Sequence, residues 1–163
     1  MSADFLAPAD ASVHLSAELP ADWQEEVEEL LFFNPQQAAV AQKILATIRA
    51  FGMPRVAVAD DHLQVVLGDG VVLGTLFARV PTPEGDELAG ILLFLRRGAG
   101  LLCLHLSVAE AYSFRGPHAR LGVAARLLDG ARRIAGRIAG LDHIEVYYGR
   151  LGWQKLPLTV RLA

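Results

Sequence analysis

The stretch ARLGVAARLLDGARRIAG, residues 119–136, has the clearest periodicity in the chain. Its Leu, Ile and Ala residues recur three and four positions apart and its arginines take the opposite side, which predicts a helix from Leu121 to about Ile138. Gly122 stands where that helix begins, and a helix start exposes unpaired amide N–H groups and the positive end of its dipole. The stretch therefore predicts either an anion site or a tight turn before an ordinary helix.

Two arginines, Arg115 and Arg120, come shortly before Gly122. Backbone N–H donors together with guanidinium groups suit a diphosphate. No Gly-Lys-Ser/Thr follows, which excludes a P-loop, and the glycine spacing does not fit the dinucleotide pattern GxGxxG. Small residues at a helix start also permit close packing against a sheet, so both interpretations stay open at this point.

After Met53 and Pro54 the hydrophobic period changes from that of a helix to that of strands. Short turn signals such as Gly98-Ala99-Gly100 separate the runs, and short connections favour antiparallel neighbours. We therefore expect an antiparallel meander through residues 62–108. The runs rich in Val and Leu that predict strands are RVAVAD, HLQVVLGD, VVLGTLFARV, ELAGILLFLRR and GLLCLHLSV.

The N-terminal part predicts a weak strand over residues 11–20 and then two helices. Asp22 with Glu25 forms the pattern of a capping box for the first helix. Asn34 is the expected cap of the second helix, and Gly52 its end. With a closing strand at LPLTVRL, the order predicts an α+β fold, a mostly antiparallel central sheet flanked by helices, in one domain over residues 1–163.

Composition describes a globular protein, with 53% hydrophobic and 20% charged residues. No apolar run reaches the length of a membrane span, and the N-terminus has no basic leader, so we expect neither a membrane segment nor a signal peptide. Cys103 is the only cysteine and cannot form an internal disulfide. That suits a reducing compartment, so we expect a cytoplasmic location.

Charge is distributed unevenly along the chain. Residues 1–34 contain eight acidic side chains and no Lys or Arg, whereas residues 111–163 contain nine basic and three acidic ones. Such a layout can steer an anionic ligand to the basic end or a cationic amine to the acidic one, although solvated helix faces give the same pattern. A net charge of −3 does not favour nucleic acid as a partner.

The segment LHLSVAEAYSFRGPHARLGVAARLL, residues 104–128, resembles the acyl-CoA signature of GNAT-type N-acetyltransferases. YYGRLGW, residues 147–153, is similar to a second motif of that family. The resemblance covers most of the chain in the order of its elements, but only residues 104–153 in motifs. The positions that match the first motif are Arg120, Gly122, Val123, Ala124, Leu127 and Leu128.

This resemblance implies acetyl-CoA or another acyl-CoA as co-substrate, a GNAT-like fold, and direct acyl transfer to a primary amine of a small molecule or peptide. Backbone groups at the end of the LHLSV strand would polarise the thioester carbonyl. The residues implied to contact the cofactor are Ser107, Val108, Ala109, Arg115, Arg120, Leu121, Gly122, Val123 and Ala124.

Three residues are candidates for acid–base chemistry. Tyr148 matches the family's general acid, although a partly buried tyrosine with a bonded hydroxyl would look the same. His105, expected on one strand face with Cys103 and Ser107, is a candidate base or a packed core histidine. Glu110, just past that strand, is a second candidate base or a solvated loop acid. The histidines and the single cysteine show no metal-ligand spacing, so we expect no metal.

The chain departs from the family pattern in three places, of which the first is that the segment SFRGPH between strand and turn is longer than usual. Ala119 stands where the family has Gln or Arg, and only AGLDHIE is available between the predicted helix and the tyrosine-bearing motif. The family places a strand and then a helix there, so either HIEVYY is the strand and the helix is missing, or the reverse. A catalytically inactive binding or assembly module is therefore the alternative function. The aliphatic hairpin over residues 92–106 offers a sheet-edge route to a homodimer.

Overall fold

The elements follow one another largely as the hydrophobic pattern predicts. The structure, a computed structural model, describes residues 12–34, 41–148 and 151–158. Short 3-10 turns at Ala21–Trp23, Glu110–Tyr112 and Ala119–Leu121 precede or link the longer elements. Those elements are β1 (His14–Ser16), α1 (Gln24–Phe32), α2 (Ala41–Phe51), β2 (Arg55–Ala59), β3 (His62–Val66), β4 (Gly74–Thr82), β5 (Gly85–Arg97), β6 (Gly100–Val108), α3 (Val123–Gly136), β7 (His143–Tyr148) and β8 (Gly152–Pro157).

Among the described residues, six strands form a central sheet in the order β1-β4-β5-β6-β7-β8. All neighbouring pairs are antiparallel except β6 and β7, which are parallel. The predicted α+β class, with a mostly antiparallel sheet flanked by helices, is confirmed. The predicted meander is wrong for its first strand, because β3 pairs with β2 in a separate two-stranded sheet and the meander starts at β4.

Both faces of the central sheet are buried. α3 covers one face, which we call the α3 side, and its Leu127 is fully buried there. α1 covers part of the other face, the α1 side, where Val27 and Phe77 are fully buried. Strands that are buried on both faces show continuous rather than alternating hydrophobicity, which explains runs such as ILLFL and LLCL.

A β-bulge in β6 decides which of its side chains share a face. Leu93 lies opposite His105, but the register shifts at the next pair, so Leu104 has no residue opposite it. Cys103 packs on the α3 side, whereas Leu104 and the cavity-lining His105 are on the α1 side. The prediction that Cys103, His105 and Ser107 share a face is therefore wrong for Cys103, because the extra residue reverses the alternation.

The hairpin over residues 92–106 occupies the middle of the sheet. β5 pairs with β4 and β6, and β6 pairs with β5 and β7, so the outer strands of the described sheet are β1 and β8. The hairpin is therefore not an outer edge of the described sheet, contrary to the prediction, whereas the homodimer itself stays a prediction.

Two predicted helix starts differ from the observed ones. Asp22 lies inside a 3-10 turn, and Trp23 is the N-cap of α1 with no side-chain cap bond, so the capping box is wrong. α3 starts at Val123 rather than Leu121, after another 3-10 turn. The start of the second helix at Asn34 and Pro35 lies partly outside the described residues. None of the helices described has the length and apolar composition needed to cross a bilayer.

The region after α3 is a strand. HIEVYY forms β7 and turns directly into β8, with Tyr148 opposite Gly152. Of the two alternatives that the sequence left open, the strand is therefore present and the helix before the second motif is missing. Of the expected closing strand LPLTVRL, only Leu156 and Pro157 belong to β8, and residues 159–163 lie outside the described part of the chain.

Two glycines let α3 lie close against the sheet. A β-carbon on Gly90 would come within 2.9 Å of Leu127 Cδ1 and Val123 Cγ1, and within 3.2 Å of the Ser107 carbonyl oxygen. One on Gly130 would come within 2.6 Å of a Leu76 methyl group. The absence of side chains at these positions therefore sets the distance between helix and sheet.

We predict that Gly90→Val lowers the free energy of unfolding by about 1–3 kcal/mol, because the added methyl groups overpack the contact between β5 and α3. Urea unfolding measures the change. Gly136→Ala is the control, because a β-carbon there meets nothing within 4 Å, and it should change stability by less than about 0.5 kcal/mol. Equal stability of Gly90→Val and the wild type would contradict the close approach of α3.

Candidate functional site

The parallel pair of β6 and β7 opens towards the carboxyl ends of its strands. The ladder joins Gly100–Leu102 to His143–Glu145 and stops there. Both strands continue, β6 to Val108 and β7 to Tyr148. Their carboxyl-terminal halves are therefore not joined to each other, and a gap lies between them on the edge of β6 that faces away from β5.

At the end of β6, Val108 directs its backbone groups into this gap. Ala109 N–H donates to the Ala89 carbonyl at 2.8 Å, which makes Ala109 and Ala89 a hydrogen-bonded pair. Residues along an antiparallel pair alternate between bonded and non-bonded positions, so the N–H and C=O of Val108 point away from β5. Ser107, Val108 and Ala109 are the predicted cofactor contacts at the strand end. Of these, Val108 is thus the one whose amide faces the gap.

Asn34 fixes the end of β6 to α1. Its side-chain amide donates to the Val108 carbonyl and to Ser107 Oγ, each at 2.9 Å. Ser107 Oγ in turn donates to the Leu30 carbonyl at 2.8 Å. Asn34 and Ser107 are both buried. The Ser107 hydroxyl is therefore engaged in holding α1 to the strand rather than directed at a ligand.

The start of α3 is a left-handed turn. Gly122 has φ +59°, a conformation that favours glycine, and nothing lies within 4 Å of where its β-carbon would be. The amides of Leu121 and Gly122 donate to the carbonyls of His118 and Ala119. Helix geometry leaves the next three amides, those of Val123, Ala124 and Ala125, without acceptors inside α3, whereas the Arg126 amide donates to the Gly122 carbonyl. The backbone amides that could donate to a ligand at this turn are therefore those after Gly122, not the amide of Gly122 itself.

The end of β6 and the helix start are neighbours. Val123 Cγ1 and the Ser107 carbonyl oxygen lie 2.9 and 3.2 Å from the same point, the position of an added β-carbon on Gly90. Val108 is opposite Gly90 in the β5–β6 ladder. The structure therefore brings together the end of β6 and the first turn of α3, as a shared binding site would require.

The two predicted arginines lie on the surface near this turn. Arg115 and Arg120 are both exposed. The Arg115 guanidinium lies 5.1 Å from the centre of the Phe114 ring, and Phe114 is 82% exposed. Both cations therefore lie in solvent, and Arg120, in the turn that ends at Gly122, adds positive potential at the start of α3.

The three candidates for acid–base chemistry separate in space. Glu110 begins the 3-10 turn directly after β6 and is exposed. His105 lines a mostly apolar cavity of about 590 Å³ between α1, α2 and the sheet. Tyr148 ends β7, and its side chain lies outside the described part of the structure. Of the two candidate bases, Glu110 is the one next to the end of β6.

A second cleft, which sequence reasoning did not locate, lies on the α1 side next to Glu110. It has a volume of about 780 Å³, and we call it the acidic cleft. The sequence contains a pattern that indicates one acidic wall of this cleft, because Asp22, Glu26 and Glu29 recur at helical spacing. The cleft is lined by Asp22, Trp23, Glu26, Glu29, Leu30, Phe33, Asn34, Asp86, Glu87, Leu88, Ala109, Glu110, Ala111 and Tyr112.

Tyr112 holds one carboxylate of the acidic cleft in place. Its hydroxyl donates to Glu87 Oε2 at 2.6 Å, and the tyrosine is 5% exposed. Burial raises the pKa of Tyr112 well above its ordinary value, and the hydrogen bond to Glu87 and the repulsion from that carboxylate add to the rise. Tyr112 therefore remains a neutral hydrogen-bond donor far into alkaline pH.

Comparisons with known proteins do not assign a family. No protein-family model, curated protein or solved structure matches the chain.

We predict that stability falls as pH rises above about 10, because the unfolded chain loses the Tyr112 proton while the folded protein keeps it. Tyr112→Phe removes this titration, so its free energy of unfolding should fall less steeply between about pH 10 and pH 12. Urea unfolding at several pH values measures both slopes. Parallel slopes for the variant and the wild type would show that Tyr112 ionises alike in both states.

Proposed function

We propose that this chain is an acyl-CoA-dependent N-acyltransferase with a GNAT-like fold, which transfers an acetyl or other acyl group to a primary amine. The observation that carries the proposal is the single parallel strand pair of the described sheet, open at its carboxyl end beside the glycine turn that starts α3. The motif resemblance over residues 104–153 gives the same assignment from the sequence.

The residues present fit such a cofactor. The open space at Gly122 lets a diphosphate approach the main chain, and the first-turn amides of α3, from Val123 onward, would donate to it. Arg115 and Arg120 would add positive charge around the turn. The Val108 amide, directed into the gap, would polarise a carbonyl placed there. Acetyl-CoA, when bound, supplies the thioester that makes the acyl group transferable.

Proton transfer would involve residues on both sides of the gap. The attacking amine must be neutral, and Glu110 would accept its proton directly or through water. The new carbon–nitrogen bond then forms as the carbon–sulfur bond breaks. Tyr148, by its resemblance to the family's acid, would give a proton to the departing sulfur. His105 lines a different cavity, so we assign it no part in this transfer.

A second candidate function is a module that binds acyl-CoA or a partner without catalysis. The direct passage from β7 to β8 supports it, since only residues 149–151 separate the strands and no helix fits between them. The region of β7 and β8, which would bind the acceptor amine, thus differs from the family pattern. A module that binds acyl-CoA would share the cofactor site with the enzyme and differ from it in turnover. For both we propose a cytoplasmic location, since Cys103 is the only cysteine of the sequence and cannot form an internal disulfide.

We predict that acetyl-CoA at about 100 times its Kd raises the melting midpoint by about 5–10 °C, because it binds only the folded state. Gly122→Glu should abolish the shift by placing bulk and negative charge at the open turn. Gly136→Glu, the same change at the other end of α3, should keep it. Because glutamate at Gly122 is also strained, Arg120→Ala serves as a second variant and should reduce the shift.

The midpoint of each variant without ligand separates lost folding from lost binding. An unchanged wild-type midpoint across a wide range of acetyl-CoA concentrations would count against the acyltransferase and against a module that binds acyl-CoA, and would leave a module that binds a partner. Loss of the shift in Gly136→Glu as well would show that added negative charge anywhere on α3 is sufficient, and would remove Gly122 from the site.

We predict that Tyr148→Phe lowers kcat at least about 100-fold, because a general acid contributes a factor of that order, while the Kd for acetyl-CoA stays nearly the same. Release of free thiol from acetyl-CoA in the presence of an amine measures turnover. Full activity of the variant would remove Tyr148 as the acid. Absence of turnover in the wild type with a broad set of amines, despite cofactor binding, would favour the non-catalytic module.

A further inference from the structure

We propose that the cavity between α1, α2 and the sheet, which we call the α2 cavity, binds the aliphatic tail of the acyl donor, so that the donor is a medium-chain acyl-CoA. The identity of the donor rests on the proposed function, whereas binding of an aliphatic chain in the cavity can be measured without it. The apolar walls of the cavity, its length, its charges and its junction with the end of β6 favour this occupant.

The apolar face of α2 lines a cavity rather than a packed core. Ile44, Thr47 and Ile48 recur at helical spacing, and all three line the α2 cavity. None of the α2 side chains that the structure describes, residues 44–51, is buried. An amphipathic helix is stabilised by burial of its apolar face, so an apolar ligand between α2 and the sheet adds contacts that the protein does not make by itself.

The opposite wall of the α2 cavity consists of core leucines of the α1 side. Leu73, Leu93 and Leu104 line the cavity, and each is at most 4% exposed. Met53, just after α2, also lines it, and a methionine side chain adapts its shape to an apolar ligand. Walls of this kind favour a ligand segment that is apolar throughout.

The α2 cavity has the length of a chain of about ten carbons. Ile44 and Gly52 both line it and lie eight positions apart, which is about 12 Å at the rise of a helix. An extended chain advances about 1.2 Å per bond, so about ten carbons span this distance. The volume of about 590 Å³ is also in the range of small-molecule sites. An acetyl group is too short to occupy such a cavity.

The charges at the α2 cavity do not select a charged head group. Its lining includes one acidic residue, Glu28, and one arginine, Arg55. The Gln24 side-chain amide donates to Glu28 Oε1 at 2.9 Å, and Arg55 is exposed. A free carboxylate would pair with Arg55 only at the surface, where an ion pair contributes little. We therefore place the polar end of the ligand outside the cavity.

The α2 cavity adjoins the acidic cleft at Phe33. This residue lines both cavities and is 76% exposed. The acidic cleft contains Ala109 and Glu110, directly after β6, and the α2 cavity contains His105, three residues before Val108. Both cavities therefore reach the strand whose Val108 amide would polarise the thioester. The tail of an acyl group held there passes Phe33 and enters the α2 cavity.

The test is calorimetric titration of the full chain with acetyl-CoA, decanoyl-CoA and hexadecanoyl-CoA, each below the concentration at which it forms micelles. We expect decanoyl-CoA to bind at least about 100-fold more tightly than acetyl-CoA, because each buried methylene group adds up to about fourfold in affinity. Hexadecanoyl-CoA should gain less than about threefold over decanoyl-CoA, because the cavity ends after about ten carbons. Equal binding of acetyl-CoA and decanoyl-CoA would overturn the proposal. An undiminished further gain for hexadecanoyl-CoA would also overturn it, because adsorption to an open apolar surface has no limiting chain length.

A variant that fills the α2 cavity tests its location. Ile44→Trp places an indole ring in the cavity and should weaken decanoyl-CoA binding at least about tenfold, while the affinity for acetyl-CoA stays within about twofold of the wild type. The matched control is Leu45→Trp, the same change at the next position of α2. Leu45 is 52% exposed and does not line the cavity, so this variant should bind both esters within about twofold of the wild type.

Thr47→Phe, on the same wall of the cavity, is the second filling variant should Ile44→Trp not fold. The melting midpoint of each variant without ligand shows whether it is folded. Wild-type affinity of a folded filling variant for decanoyl-CoA would overturn the proposal. Equal weakening by Leu45→Trp and Ile44→Trp would also overturn it, because the tail would then not lie between α2 and the sheet.

Failure of this proposal and failure of the proposed function are distinguishable. If acetyl-CoA binds and an amine is acetylated, but decanoyl-CoA binds no more tightly, the assignment of the α2 cavity is wrong and the acyltransferase remains. If no CoA ester binds, whereas decanoate alone binds and Ile44→Trp abolishes its binding, the cavity is a site for a free aliphatic ligand and the proposed function is wrong.

Discussion

The close approach of α3 to the sheet at Gly90 is the contact on which the proposed site depends. With no side chain at Gly90, Val123 and Leu127 pack against the backbone of β5, and the first turn of α3 comes beside the end of β6. The β6–β7 ladder stops after three pairs on the neighbouring edge. A wider spacing would separate the amides of the helix start from the gap between the strands, and neither group alone would form a cradle for a phosphate and a thioester.

On the other face of the sheet, α1 is a second neighbour of the end of β6. Asn34 and Ser107 join α1 to β6 through buried hydrogen bonds, and buried polar groups that lose such partners destabilise a fold substantially. This network places the acidic wall of α1 beside Glu110. The end of β6 thus lies between a region with backbone donors and arginines and a cleft lined by carboxylates, an arrangement suited to an anionic donor and a cationic acceptor.

The amino-acid sequence by itself determined the elements and the α+β class. Period-two runs rich in Val and Leu became strands, the Leu and Ala pattern after Gly122 became α3, and Gly52 with φ +88° ended α2. These features depend on local backbone preference and on side-chain spacing along one segment, which the sequence shows directly. The helix starts were less predictable, as Asp22 shows, because a 3-10 turn and an α-helix differ by little in local energy.

Tertiary structure alone decided which segments meet. The bulge at Leu104 placed His105 and Cys103 on opposite faces, β3 joined β2 instead of the meander, and HIEVYY became a strand parallel to β6. Register and pairing depend on partners distant in sequence, and one extra residue reverses every side chain that follows it. For the same reason the acidic cleft could not be located beforehand, since its carboxylates come from α1, β5 and the segment after β6.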